Sequence, residues 1–176
     1  MVNKYTNSND FHTKRAPRRR AFLVTGGLLW YDERKRNTGV ERLTVIVTVD
    51  ERGGRAFLGK RLSRDAAVCE DVLRSLEGKG LVVTPNSAPL FEGADVSVRE
   101  DLFCGAAQGE VFFSEFEPLL PVGEKITTLV VYRWNRRYPS DLKLDLDPEA
   151  CGLHRIGVRE FVGTSHEKIT REEYRR

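Results

Sequence analysis

Ile126-Thr127-Thr128-Leu129-Val130-Val131-Tyr132-Arg133-Trp134 decides how this chain is read. Nearly every residue in it is β-branched or aromatic, and such side chains fit a pleated, buried surface. The stretch therefore predicts a central strand of a sheet. Alternation places Tyr132 and Trp134 on one face and Arg133 on the other. The chain continues as Asn135-Arg136-Arg137-Tyr138-Pro139-Ser140-Asp141. Three guanidinium groups thus stand beside two large rings where a buried strand should surface. Guanidinium forks suit anions and aromatic faces accept planar groups. Arg133, Trp134, Asn135, Arg136, Arg137 and Tyr138 are accordingly the candidate ligand-binding residues.

Outward from this strand, Leu43, Val45, Val47 and Val49 alternate with Thr44, Ile46 and Thr48. Asp50-Glu51-Arg52-Gly53-Gly54 is turn-like and leads into Arg55–Leu58, so the two runs read as a hairpin. Ser63 is placed to cap a helix whose apolar stripe is Cys69, Val72, Leu73 and Leu76, with Gly78 and Gly80 ending it. Leu81–Thr84 reads as a short strand. Ser97 and Glu100 have capping-box spacing, which predicts a second short helix over residues 98–107. Glu110–Phe116 is aromatic and strand-like, Leu142–Leu146 alternates, and Val158–Val162 is a candidate last strand. Thr164 with Glu167, and Thr170 with Glu173, carry the same cap spacing, so the C-terminus reads as helical. The sum is an α+β fold, a single domain with a mixed, mostly antiparallel sheet and two or three helices.

The chain has 176 residues, a length suited to one domain with a real core. Its net charge of +3 is unevenly spread. Lys4, Lys14, Arg15, Arg18, Arg19 and Arg20 face only Asp10 within residues 1–20, and the rest of the chain is close to neutral. Residues 1–20 read as a disordered or loosely attached basic arm, and 21–176 as the globular domain. A neutral body is not a general DNA-coating surface. No apolar run approaches the roughly 20 residues that span a bilayer, so no membrane partner is expected. Cys69, Cys104 and Cys151 are odd in number and widely spaced, which suits reduced thiols in a cytoplasmic protein.

Gly163-Thr164-Ser165-His166-Glu167-Lys168 is the second concentration of chemistry. Imidazole carries protons near neutral pH, Glu can be its partner and Lys can steady an anion. His166, Glu167 and Lys168 are the candidate catalytic residues. His12 and His154 lack ligand spacing to any other His or Cys, so neither a metal nor a cofactor is expected. Phosphate-loop, dinucleotide and nucleophile-elbow patterns are absent.

These features support three readings. The first is a cytoplasmic protein binding a phosphate-bearing ligand, RNA or a nucleotide; if it is also an enzyme, metal-independent phosphodiester cleavage is the chemistry these residues could support. The second is a protein-interaction or inhibitory module, resting on an exposed patch of Phe112, Phe113 and Phe116. The third is a small-molecule enzyme using a pocket beside Gly26-Gly27, with Arg133 gripping a carboxylate.

Overall fold

The computed structural model describes residues 19–24, 27–32 and 42–176. The chain divides into two units, residues 1–39 and 40–176. In the first, strands β1 (Arg19–Val24) and β2 (Gly27–Asp32) form an antiparallel pair. The rest of the predicted N-terminal arm, residues 1–18, lies outside the described residues.

The second unit is built on a seven-stranded sheet. Its strands are β3 (Leu43–Val49), β6 (Gly80–Val83), β7 (Val96–Val98), β8 (Glu110–Ser114), β9 (Ile126–Arg133), β11 (His154–Phe161) and β12 (Ile169–Arg175), in the order β11-β12-β9-β3-β8-β6-β7. β7, β6, β8, β3 and β9 run parallel to one another, and β12 and β11 close the sheet antiparallel. A separate three-stranded sheet joins β4 (Gly54–Phe57), β5 (Lys60–Arg61) and β10 (Leu142–Lys143).

The alternation along β3 does what the pleat requires. Leu43, Val45, Val47 and Val49 enter one core with Phe112, Leu129 and Val131, while Ile46 enters the other with Phe113, Val130, Tyr132 and Trp134. Helix α1 (Ala66–Ser75) covers this second face through Val68 and Val72. The first face is covered by irregular chain, including Leu102, Leu119, Leu146 and Leu153. Parallel strands need both faces dry, and these two cores supply that.

The sheet is mostly parallel and α1 is the one α-helix of the described residues, so the expected mostly antiparallel sheet with two or three helices is incorrect. β3 does not pair with Arg55–Leu58; it lies between β8 and β9. Residues 99–109 are turns rather than a helix. The C-terminus is not helical: β11 and β12 form a hairpin, with Thr164–Lys168 as its connection. Strong helix formers such as Glu172, Glu173 and Arg175 are held extended because β12 gains a full ladder against β9. No helix among the described residues is long and apolar enough to cross a membrane.

Candidate functional site at the carboxyl edge of the sheet

β3 and β8 are neighbours whose chains leave in opposite directions. β3 leads through α1 to β6, beyond β8, and β8 leads to β9, beyond β3. In open α/β sheets such a switch point, at the carboxyl ends of the strands, is where crevices form. Buried polar side chains, Asp50, Asp65, Glu115 and His166 among them, lie at that edge.

Asp50 ends β3. Its carboxylate accepts from the backbone N–H of Arg52 (2.8 Å), Gly54 (2.6 Å) and Tyr138 (3.1 Å), which draws the segment after β9 over the strand ends. A Cβ at Gly54 would lie 2.7 Å from the Ser140 Cβ, so only glycine permits this close return. Trp134 extends β9 by donating to the Val49 carbonyl at 2.9 Å. Its indole is 3 % exposed and stacks on the His166 imidazole, with centroids 4.8 Å apart and an interplanar angle of 24°.

His166 is itself 4 % exposed. Its Nδ1 lies 2.9 Å from Asp65 Oδ2, and its Nε2 lies 3.2 Å from Ser63 Oγ and 3.1 Å from Tyr138 Oη. A carboxylate only accepts, so Nδ1 donates to Asp65, and Nε2 faces the two hydroxyls. Asp65 caps α1 by accepting from Ala67 N–H (3.0 Å), and also accepts from Thr164 N–H (2.8 Å), Ser165 N–H (2.8 Å) and Ser165 Oγ (3.0 Å). Burial by itself would raise the Asp65 pKa. The hydrogen bonds from His166, Ser165 and Thr164 outweigh it and hold the carboxyl well below its ordinary range.

Glu115 follows β8 and is 2 % exposed. It accepts from Ser87 Oγ at 2.7 Å and pairs with Arg61 at 3.3 Å. Burial pushes its pKa up, against the opposing pull of Ser87 and Arg61. A cavity of about 10 Å³, the size of one water, lies between Ser63, Asp65, Cys69, Glu115 and Trp134. Burial, reinforced by the Glu115 charge, raises the Cys69 thiol pKa to about 11. Ser63 and Arg64 also line an open depression of about 450 Å³ with Lys60, Arg61, Pro89 and Leu90.

Of the residues singled out in the sequence, His166, Trp134 and Tyr138 converge here. Glu167 and Lys168 do not: both are exposed, and Lys168 pairs with Glu160 at 3.1 Å. Arg133 donates to Glu172 at 2.9 Å, and Arg137 to Glu51 at 2.8 Å. Asn135, at φ 51°, donates to Thr170 Oγ1 at 2.9 Å, and Arg136 is exposed. The supposed anion-gripping corner is therefore occupied largely by the protein's own groups. Phe112 and Phe113, expected on an exposed patch, are 0 % and 1 % exposed. Ser63 and Asp65 were not recognised as partners of His166, from which they are separated by about a hundred residues; Asp65 standing just before the apolar stripe was the available signal.

No family model matches the chain, and no curated protein does. Among solved structures it is similar to a dihydrofolate reductase from Enterococcus faecalis complexed with NADP(H) and RAB-propyl. The TM-score is 0.53 and the identity 17 %, over 77 % of this chain and 96 % of the other. The likeness establishes the fold. With the internal pairing of Arg133 and Arg137 and the burial of Trp134, it overturns the reading of this chain as an RNA- or nucleotide-binding phosphodiesterase, and the burial of Phe112 and Phe113 removes the exposed patch on which the interaction-module alternative rested.

The fold raises the question of a dinucleotide. Its diphosphate takes backbone N–H groups at a helix N-terminus or a glycine-rich turn. Among the described residues the single α-helix N-terminus is already filled by the Asp65 carboxylate, and β8 ends on the buried Glu115 carboxyl. These residues do not fit the group. Nor do three or more His, Cys, Asp or Glu side chains of the described residues converge as metal ligands.

Proposed function

We propose that this protein binds a small organic anion at the carboxyl edge of its sheet and performs acid–base chemistry on it through His166. One observation carries the reading. Ser63 lines the 450 Å³ depression beside Lys60, Arg61 and Arg64, and at the same time contacts a buried His166–Asp65 pair. Lys60 and Arg64, beside an Arg61 shared with Glu115, make the open hollow attractive to a carboxylate. An imidazole tied to a carboxylate on one side and to a hydroxyl on the other is arranged to take a proton. The fold alone would favour a reductase; the side chains at its edge favour proton transfer without a dinucleotide, and they are the chemistry of this chain. Cys69 and Cys151 as thiols suit a reducing compartment such as the cytoplasm.

Thermal unfolding in the presence of small mono- and dicarboxylates tests the reading. A ligand at about ten times its Kd adds about 1.4 kcal/mol, which raises Tm by roughly 3–5 °C for a domain of this size. Arg61→Ala with Arg64→Ala should abolish the rise. A Tm that no carboxylate moves, or one that moves equally in the double variant, rejects the proposal.

A further inference from the structure

We propose that Ser63 is a nucleophile, and that the substrate is a carboxylic ester bearing a second, free carboxylate. The inference deepens the anion-site reading and rests on it. Ser63, Asp65 and His166 meet the geometric roles of a Ser-His-Asp constellation, which is identified by geometry rather than by fold or chain order. Ser63 Oγ stands 3.2 Å from Nε2, and Nδ1 stands 2.9 Å from Asp65. Such contacts are often looser before substrate binds. The orienting carboxylate is fixed by the N–H groups of Ala67, Thr164 and Ser165, and the ring by stacking on Trp134. Unlike His166 and Asp65, Ser63 is half-buried and lines the open hollow, so it is the member of the set that a ligand reaches.

The step balances without any further reagent. The Ser63 oxygen forms a bond to the ester carbonyl carbon while its proton passes to His166 Nε2. The carbonyl oxygen takes the displaced electron pair in the hollow lined by Lys60, Arg61 and Arg64. Collapse breaks the ester C–O bond, and the leaving alcohol takes the proton from Nε2. Water then gives a proton to Nε2 and its oxygen to the acyl carbon, and Ser63 leaves with that proton. Ester and water become acid and alcohol. Lys60 and Arg64 hold the second carboxylate.

The test uses the full chain, a fluorophosphonate and two activated esters, 4-nitrophenyl hydrogen glutarate and 4-nitrophenyl acetate. Intact mass and peptide mapping should find one phosphonyl adduct, on Ser63, absent from Ser63→Ala. Hydrolysis of the charged ester should fall by about a hundredfold or more in Ser63→Ala and persist in part in Ser63→Cys. Arg64→Ala should slow the charged ester by about tenfold more than it slows the acetate. An adduct elsewhere, no adduct, or a Ser63→Ala rate equal to wild type overturns the inference. Glutarate-induced stabilisation of Ser63→Ala separates the two proposals: if it remains, the anion site stands without the nucleophile, and if it is absent from wild type as well, both fall.

Discussion

Replacing Asp65 by Asn changes one atom of a carboxylate that receives five hydrogen bonds. If the new NH2 takes the Oδ1 position, the N–H groups of Ala67 and Thr164 both lose their acceptor. If it takes the Oδ2 position, the Ser165 N–H loses its acceptor, the Ser165 hydroxyl keeps the Arg64 carbonyl, and the amide can donate to His166 Nδ1. The second arrangement wins, and it moves the imidazole proton to Nε2. One buried donor left unpaired costs about 1–3 kcal/mol, and the remaining bonds lose charge assistance, so Asp65→Asn should cost about 2–4 kcal/mol in all. Urea unfolding followed by Trp fluorescence measures it, and 15N spectra of the imidazole report the tautomer. The acid limb of the stability curve should also flatten. Asp65 has a folded pKa below its unfolded value, so its contribution is present above about pH 4 and is lost as pH falls through the folded value. A loss under about 0.5 kcal/mol with the proton still on Nδ1 would refute the network as described.

Three further outcomes follow from the same edge. A Cβ at Gly163 would lie 2.6 Å from Ile169 Cδ1 and closer still to the Asp65 carboxylate, so Gly163→Ala should cost about 1–3 kcal/mol in urea unfolding. Glu115 has a folded pKa above its usual 4.5, so the folded state keeps a proton that the unfolded state has lost, and stability falls as pH rises from about 4.5 through the folded value; Glu115→Gln should remove that slope from a pH series of unfolding midpoints. Cys69, with its thiol pushed up to about 11, should resist iodoacetamide at pH 8 in the native protein and react on unfolding, as peptide mapping would show.

The elements legible in the sequence are those whose burial pattern is local. β3 and β9 are dense in β-branched residues, and the α1 stripe repeats at helical spacing. Strand direction was not legible, because β3 finds β8 and β9 across more than sixty residues and no local signal encodes that pairing. β11 was read only in its second half, as Val158–Val162, for another reason. Its residues are exposed on both faces up to Phe161, so no alternation marks it, and only the ladder to β12 holds it extended. At the site, His166 and Tyr138 stood out by residue type, whereas Asp65 looked like an ordinary residue before a helix. Its second task, holding the 164–166 turn, exists only in the folded chain.

The central claim is that the working surface is the hollow beside Ser63. Amide and imidazole chemical shifts, followed while glutarate is added, test it most directly. The account predicts saturable shifts confined to Lys60–Arg64, Leu90 and His166. Saturable shifts instead around the 160 Å³ cavity at the amino ends of the strands, lined by Thr44, Thr128 and Arg171, or none anywhere, would contradict it.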